Sequence, residues 1–402
     1  MQDNQIKPHL SDRERRIISI YFLVIFTVVL IYFGIGAIIN PQVQADSDVT
    51  RVEIAVLAPI SGTMSEYGNA FVTAVKLAVE SPPPQYRVNG YFVNVKVYDT
   101  HNTAAGAAAA AAKAAGQAET IAIIGPLDSR QVVAASEMLV DEDLVLITPS
   151  ATAPSLVLNN FSGIFRIPVT DNYQGQAIVG FLDNQNLEKV FMVGENEPSI
   201  PGIIETFNQA ARNKIQIVGS VDTAKEEITA EMVQTMVDAE AQAVVYLGGI
   251  EKVRVLLQVM SEAELYIPVI GCELINSPDL LPLPNEQVQL FYSIPFITSN
   301  VAKISEKSLY SPVLKGQLTS PFAYEATAAT WLVMESLSRS GDLAPREIIW
   351  NRLDRATITN IWGDSAGFSS RQFSPGYIYL YQVNTVEGDW SKNEIVYKYK
   401  GQ

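Results

Sequence analysis

The stretch from Ile121 to Leu156 constrains the fold more than any other part of this chain of 402 residues. A short apolar run, Ile121 to Ile124, meets a Gly-Pro turn, and a segment with a small apolar face typical of a helix follows it. A second apolar run, Leu144 to Ile147, meets a second polar loop. The order strand, loop, helix, strand, loop predicts a βαβ unit whose two loops leave the same end of a parallel sheet.

Both loops carry hydroxyl side chains where the next helix is expected to begin. Ser129 lies in the first loop, and Ser150 and Thr152 lie in the second. Because helix N-termini expose unpaired N–H groups and a partial positive charge, this arrangement suits an anion such as a carboxylate. The alternative is that the three hydroxyls act only as N-caps, each worth about 1 kcal/mol to a helix.

The pattern of apolar runs separated by helical segments continues along the chain. Alternating β and α units predict parallel, doubly wound sheets with helices on both faces, and two such series predict two lobes. A nearly pure alanine segment, Thr103 to Ala118, predicts a helix with a thin face that packs closely. The remaining predicted strands are Ile54 to Leu57, Val93 to Tyr98, Val190 to Val193, Ile215 to Val218, Ala243 to Leu247, Pro268 to Ile270, and a terminal pair, Gly376 to Val383 and Ile395 to Tyr399.

Charge and motif content exclude several classes of function. The chain has 28 basic and 43 acidic residues and a formal net charge of −15, so no basic stripe is available to bind nucleic acid. Its one cysteine, Cys272, excludes an internal disulfide and a thiolate-rich zinc site. Motifs for nucleotide phosphates and for catalytic zinc are missing from the sequence. We therefore predict no cofactor and no metal.

An enzyme remains the weaker alternative. His9 precedes the first apolar segment, which leaves His101, next to Asp99, as the histidine on which a Ser-His-Asp triad could be built. The chain contains no G-x-S-x-G nucleophile elbow. We therefore predict that the protein is not an enzyme.

The N-terminus predicts export. The segment 17–39 has no charged residue and is long enough for a membrane span, which needs about 20 apolar residues. Arginines precede it, so residues 1–16 are expected in the cytoplasm and the bulk outside, after a linker at 40–50. Two interpretations stay open: a membrane anchor that is retained, or a long signal peptide cleaved near Ala45.

Several motifs resemble one known family. The sequences IGPLDS and TPSATAPSL resemble the extracytoplasmic solute-binding proteins of the Leu/Ile/Val-binding type, the type I periplasmic binding proteins. Ile54 to Glu80 is similar to that family's first strand and helix, and Phe165 to Leu182 resembles its first interdomain crossover. The resemblance extends from about Val52 to the C-terminus, in family order. It implies two lobes joined by a three-strand hinge, with crossovers near Val169, Ile297 and Tyr377.

The expected domain organisation combines this resemblance with the N-terminal pattern. Lobe 1 is predicted to comprise 51–168 and 297–376, and lobe 2 to comprise 169–296 and 377–402. Ligands of doubly wound sheets bind beyond the carboxyl ends of the strands, so the cleft between the lobes is the predicted site. Position in strand-exit loops selects the candidates Tyr67, Ser129, Ser150, Thr152, Tyr173, Ile250 with its neighbours Gly248 to Glu251, and Glu273.

The resemblance implies roles for some of these candidates. Ser129 matches a serine that binds a ligand α-carboxylate, and Ser150, Ala151 and Thr152 form a loop that does the same through backbone and hydroxyl groups. Glu273 matches an acid that pairs with the α-ammonium. Tyr67 matches an aromatic position near the cleft wall. Two alternatives stay open: Glu273 as a solvated carboxylate, and Tyr173 as a packing aromatic at the hinge.

The sequence departs from the family pattern in the second lobe. Pro201 and Ile250 stand where amino-acid binders often carry aromatic residues, which puts an aliphatic amino acid ligand in question. Glu195, Glu197 and Glu251 lie in the same loops, and an acidic wall would favour a cationic or polyamine-like ligand.

The predicted function follows from the fold and the candidate site together. We predict an extracytoplasmic receptor that closes its lobes over a small zwitterionic or carboxylate-bearing, amino-acid-like solute and delivers it to an ABC permease. The alternative is a membrane-tethered ligand sensor without a transport role.

Overall fold

The structure is a computed structural model that describes residues 49–158, 162–195, 200–297, 310, 322–338, 343–384 and 390–401. The predicted apolar segment 17–39 and the cleavage site near Ala45 lie outside these residues. In the part that the structure describes, no helix is both long enough and apolar enough to cross a membrane. Residues 51–402 form one structural unit, and all elements below belong to it, β1 beginning one residue earlier.

Strands and helices alternate along most of the chain. The strands are β1 (Thr50–Ala58), β2 (Tyr91–Asp99), β3 (Thr120–Ile124), β4 (Val145–Thr148), β5 (Ile164–Arg166), β6 (Lys189–Gly194), β7 (Gln216–Asp222), β8 (Ala243–Leu247), β9 (Val269–Gly271), β10 (Leu290–Ile294), β11 (Thr357–Thr359), β12 (Ser365–Ser369), β13 (Gln372–Ser374), β14 (Tyr377–Gln382) and β15 (Glu394–Lys400). The helices are α1 (Ser65–Glu80), α2 (Ala104–Ala115), α3 (Ser129–Glu137), α4 (Asn172–Asn184), α5 (Ile200–Ala211), α6 (Ala230–Asp238), α7 (Ile250–Glu262), α8 (Ala323–Ser338) and α9 (Pro345–Arg352).

Two sheets organise these strands. The first has the order β11-β12-β13-β5-β4-β3-β1-β2, and the second has the order β15-β14-β10-β9-β8-β6-β7. The strands of the first sheet come from two separate stretches of chain, and so do those of the second. The chain therefore passes from one sheet to the other three times, after β5, after β10 and after β13.

Both sheets are mixed, which corrects the prediction of purely parallel sheets. The central strands pair in parallel, as predicted, but β11, β12 and β13 pair antiparallel with one another, and β14 and β15 add antiparallel strands to the second sheet. The β12–β13 hairpin turns at Ser370 and Arg371, whose φ angles of 49° and 65° are both positive. Positive φ at both central residues is the requirement of a tight hairpin turn, so no crossover helix is needed there.

The predicted alanine helix is confirmed as α2. Thr103 caps it, because its side chain accepts a hydrogen bond from the Gly106 N–H at 3.0 Å. The buried face consists of small side chains: Ala107, Ala110, Ala111, Ala114 and Ala115. Alanine supplies helix propensity and also lets α2 lie close to its neighbour α3.

Gly125 lies at the start of the loop that joins β3 to α3, and its backbone conformation requires glycine. Its φ is +101°, and a Cβ there would lie 2.2 Å from the carbonyl oxygen of Leu57 in β1. We therefore expect Gly125→Ala to lower the free energy of unfolding by about 3 kcal/mol, because both the backbone conformation and the contact become unfavourable. Urea denaturation followed by circular dichroism measures the change.

Gly116→Ala is the matched control for this substitution. Gly116 has a helical backbone, and a Cβ there would meet nothing closer than 3.6 Å. The variant should be neutral, or more stable by a few tenths of a kcal/mol, because alanine restricts the unfolded chain. An equal loss of stability in both variants would contradict the role given to Gly125.

Candidate functional site

The first loop of the candidate site joins β3 to α3. Asp128 is the N-cap of α3, because its carboxylate accepts hydrogen bonds from the N–H groups of Arg130 at 2.8 Å and Gln131 at 3.3 Å. Ser129 is therefore the first residue of the helix, and the alternative that it is the cap is wrong. Its Oγ instead accepts a hydrogen bond from the N–H of Ala153 at 3.4 Å, which ties the first loop to the second.

The second loop follows β4 and lies against the first. The Ser150 hydroxyl is buried and donates to the carbonyl of Leu127 at 2.7 Å. The N–H of Ala151 donates to the Thr148 hydroxyl at 3.1 Å. The next helical turn begins only at Pro154, so neither Ser150 nor Thr152 is an α-helix N-cap. The two strand-exit loops form one surface of hydroxyl and N–H groups, as the βαβ pattern predicted.

Thr152 connects this surface to an acid that the sequence analysis missed. Its hydroxyl donates to the Asp171 carboxylate at 2.9 Å, and the Asp171 N–H donates to the Thr152 carbonyl at 3.2 Å. Asp171 lies in the first crossover, just before α4, and its side chain is buried. Burial raises the pKa of Asp171, while the donors Thr152 and Gln174 and the charge of Arg166 oppose that rise.

Glu273 approaches the same place from lobe 2. It follows β9 and begins a short 3₁₀ turn, Glu273–Ile275. Its Oε2 atom is buried and has no hydrogen-bond partner. Burial, and then the nearby charge of Asp171, raise the pKa of Glu273 to about 8, and the amide of Gln174 opposes this. One carboxylate oxygen of Glu273 is therefore shielded from solvent, although the residue as a whole is half-buried.

Gln174 lies between the two acids with its orientation fixed. Its Oε1 accepts a hydrogen bond from the buried Ser293 hydroxyl at 2.8 Å. The side-chain NH₂ group therefore faces the carboxylates, and it donates to Asp171 at 3.3 Å. The cation whose charge acts on Asp171 is Arg166, which donates to the Ala153 carbonyl and to Gln372, each at 2.7 Å. Buried carboxylates with an unpaired oxygen suit a ligand cation that carries several N–H donors.

The acids of the second-lobe wall already have partners. Glu195 accepts from the Gly249 N–H at the start of α7 and forms an ion pair with Lys252 at 3.1 Å. Glu251 is largely exposed and lies 3.7 Å from Arg254. Glu197 lies outside the described residues. Since Glu195 and Glu251 are balanced by their own lobe, they give no support to a polycationic ligand.

The remaining candidates take no part in the hydrogen bonds described above. Tyr67 is in the first turn of α1 and is 42% exposed. The ring of Tyr173 packs beside Gly401, where a Cβ would come within 3.2 Å of it, in the core of lobe 2. Ile250 is the first residue of α7 and is half-buried. The hydrogen bonds and charges described above join Ser129, Ser150, Ala151, Thr152 and Glu273, and they do not include Tyr67, Tyr173 or Ile250.

The His101 cluster does not have the geometry of a catalytic triad. The Ser61 hydroxyl lies 2.9 Å from Nδ1 of His101, and the Asp99 carboxylate lies 3.1 Å from the same nitrogen. A triad uses both ring nitrogens, one for the nucleophile and the other for the acid.

Among the described residues, no group of three or more His, Cys, Asp or Glu side chains could hold a metal ion.

Comparisons with known proteins agree with this architecture. The sequence profile of the periplasmic binding protein family matches residues 51–389. The leucine-, isoleucine-, valine-, threonine- and alanine-binding protein of Pseudomonas aeruginosa is 21% identical over 305 residues, which are 74% of this chain and 80% of that protein.

Solved structures are similar over most of the chain. An ABC transporter substrate-binding protein from Desulfitobacterium hafniense in complex with Leu matches with a TM-score of 0.68 at 18% identity, over 86% of this chain and 100% of that one. A solute binding protein from R. palustris in complex with 4-hydroxybenzoate matches with a TM-score of 0.64 at 15% identity, over 88% of this chain and 98% of that one. At these identities the likeness establishes the fold: two α/β lobes with mixed sheets.

Proposed function

Because this chain belongs to the periplasmic binding protein family, whose members bind solutes, we propose that it is an extracytoplasmic receptor for a zwitterionic, amino-acid-like solute. The observation that carries the proposal is the buried, unpaired Oε2 of Glu273 near Asp171. Most buried polar groups in folded proteins have a partner, and at this strand exit a ligand group can supply the one that Oε2 lacks. The ligand group that fits is an ammonium.

The opposite end of the solute is expected to be a carboxylate. It would lie against the two loops of lobe 1. The Ser129 hydroxyl accepts from the Ala153 N–H and still has its own hydrogen to donate, whereas the Ala151 N–H and the Thr152 hydroxyl would have to leave Thr148 and Asp171 to reach the ligand. Because the Thr152 hydroxyl lies 2.9 Å from the Asp171 carboxylate, the donors and the acids adjoin, which suits the short separation of the two charged groups in an α-amino acid. Closure of the lobes would remove both charges from water, so each needs its partner in the site.

Tyr67 and Ile250 are proposed to line the part of the cleft that faces the solute side chain. Tyr173 is proposed to pack at the hinge. The relatives named above include binders of several aliphatic amino acids and of 4-hydroxybenzoate. Because an amino acid carries an ammonium group and 4-hydroxybenzoate does not, an ammonium site supports an amino acid as the ligand. Delivery to an ABC permease in the membrane is the proposed use of the bound solute, since one neighbour of known structure is an ABC transporter substrate-binding protein.

A ligand screen tests the proposal. We would measure the thermal unfolding of the exported part, residues 46–402, against the twenty standard amino acids, their 2-hydroxy-acid analogues, polyamines and small aromatic acids. A solute present at about a hundred times its Kd stabilises the folded state by about 2.7 kcal/mol. Shifts with amino acids but not with their hydroxy analogues support the proposal. Shifts with aromatic acids alone, or with no compound, would reject it.

Removal of the Thr152 hydroxyl is expected to weaken amino acid binding. Thr152→Val should raise Kd by about tenfold to a hundredfold, because a hydrogen bond to a charged group is worth about 1.5–3 kcal/mol. Ser129→Ala should act in the same direction, because it removes the hydroxyl that the first loop can offer as a donor. Isothermal titration calorimetry measures both values.

Thr235→Val is the control for this change. Thr235 lies on the exposed face of α6, where its hydroxyl donates to the Glu231 carbonyl at 3.0 Å. Its variant should bind with the Kd of the wild type. Unchanged affinity in both Thr152→Val and Ser129→Ala would remove the two loops from the site.

A further inference from the structure

The buried charges at the hinge do not balance. Arg166 carries one positive charge, and Asp171 and Glu273 carry one negative charge each when ionised. The sum is one negative charge in a region where ions are poorly solvated. In the bound state the solute ammonium would place a positive charge beside the two carboxylates, while the solute carboxylate would lie against the donors of lobe 1.

Other titratable groups near Glu273 do not correct this imbalance. Cys272 is buried, and burial raises the pKa of its thiol, so it stays neutral. Tyr246 from β8 also faces this region with a raised pKa and stays neutral. Lys252 is held by Glu195 and by the Thr223 carbonyl at 2.5 Å. Gln174 and Ser293 are polar and uncharged.

We propose that the empty site carries a proton on Glu273 and that the ammonium of the incoming solute displaces it, so that binding releases one proton to solvent. This rests on the function proposed above and deepens it. The solute keeps its ammonium proton. The Glu273 carboxyl loses its proton to water. Because the zwitterion itself is neutral, the occupied site is one unit more negative than the empty one, and the donors of the lobe 1 loops face the added carboxylate.

Hydrogen bonding decides which acid holds the proton. Asp171 accepts from Thr152 and Gln174, and both donors favour its ionised form. Glu273 has an oxygen without any donor, and it also feels the charge of Asp171. Since the two acids interact, the first proton to bind belongs to the pair, but Glu273 is the member that carries most of it.

The coupling makes affinity depend on pH. Because burial and the charge of Asp171 raise the pKa of Glu273 in the empty site, the carboxyl is mostly protonated at pH 7. Below pH 8 the solute must compete with the proton, so Kd should increase about tenfold for each pH unit of acidification. A hydroxy acid carries no cation to replace the proton, and its binding should release none.

Calorimetry counts the released protons. The amino acid with the largest thermal shift in the screen is titrated into residues 46–402 at pH 7, in buffers with different ionisation enthalpies. We expect a release approaching one proton at pH 7. The release should fall at pH 9, where Glu273 is more ionised and the amino group of the free solute begins to lose its own proton. Glu273→Gln should release none at pH 7. Glu262→Gln, which changes an exposed acid of α7 in the same lobe, should release as much as the wild type.

A second measurement needs no ligand. Carbon-13 NMR of the Glu273 carboxyl, assigned by comparison with Glu273→Gln, should show it protonated at pH 7 in the empty protein. An ionised Glu273 at pH 7, or an amino acid that binds without releasing a proton, would overturn the coupling and leave the receptor function intact. A protonated Glu273 in a protein that binds no amino acid would reject the receptor function instead.

Discussion

Replacing both buried acids by their amides, Asp171→Asn with Glu273→Gln, is expected to raise the Kd for α-amino acids by at least about a hundredfold. Each acid contributes a charge that the ammonium meets only in the bound state. Removing the partner of a buried charge costs about 2–5 kcal/mol, and about 1.4 kcal/mol corresponds to a factor of ten. The double variant should be less stable than the wild type, because it leaves the buried Arg166 without the charge of Asp171, so affinity is compared where both proteins are folded. Calorimetry measures the affinity, and urea denaturation measures the stability.

A charge-matched control distinguishes the loss of the ammonium site from the general effect of removing two negative charges from the protein. Asp183→Asn with Glu262→Gln removes the same number of negative charges from exposed positions of lobe 2, where Asp183 pairs with Lys214 at 2.7 Å and Glu262 accepts from Gln258 at 2.8 Å. Its Kd should equal that of the wild type. Equal losses in both double variants, or an equal loss for the hydroxy analogue in the first, would contradict an ammonium site.

The two loops of lobe 1 could be predicted from the sequence because their cause is local. Each follows a short apolar run that becomes a buried parallel strand, and parallel strands place their exit loops on one edge. The contact between Ser129 and Ala153 is therefore a consequence of the strand order. The same logic predicted the central strands of both sheets.

Asp171 shows where the sequence stops being informative. Nothing local distinguishes it from any other acid before a helix, and its importance comes from burial against Thr152 and from the approach of Glu273, which lies about a hundred residues further along the chain. The partners of Glu195 were hidden in the same way, since Lys252 and Gly249 reach it only in the folded chain. The β12–β13 hairpin was not predicted from the sequence, because its turn residues Ser370 and Arg371 lack the Asn-Gly or Gly signal of such turns.

Glu325→Gln is expected to stabilise the protein at alkaline pH. Glu325 lies in the first turn of α8 and is 2% exposed. Its Oε1 accepts from the Ile297 N–H at 2.8 Å, where the chain leaves the second sheet, and its Oε2 is buried without a partner. Burial raises the pKa of Glu325 to about 8 from its usual 4.5. The ionised form of Glu325 therefore destabilises the folded state.

The direction of the pH dependence follows from proton counting. Between pH 4.5 and about 8 the folded protein holds a proton on Glu325 that the unfolded chain has lost. The free energy of unfolding consequently decreases as pH rises through this window, by up to about 1.4 kcal/mol per pH unit for this group, and levels off above it. Below pH 4.5 both states are protonated, and the group has no further effect.

Glutamine has nearly the shape of the protonated carboxyl but does not ionise. Glu325→Gln should therefore match the wild type within about 1 kcal/mol at pH 5 and exceed it by several kcal/mol at pH 9. Urea denaturation at pH 5, 7 and 9 gives the difference between the two proteins, in which the contribution of Glu273 cancels. Glu137→Gln, at an exposed position near the end of α3, should show no such trend. A difference independent of pH would mean that Glu325 is ionised in the folded protein throughout.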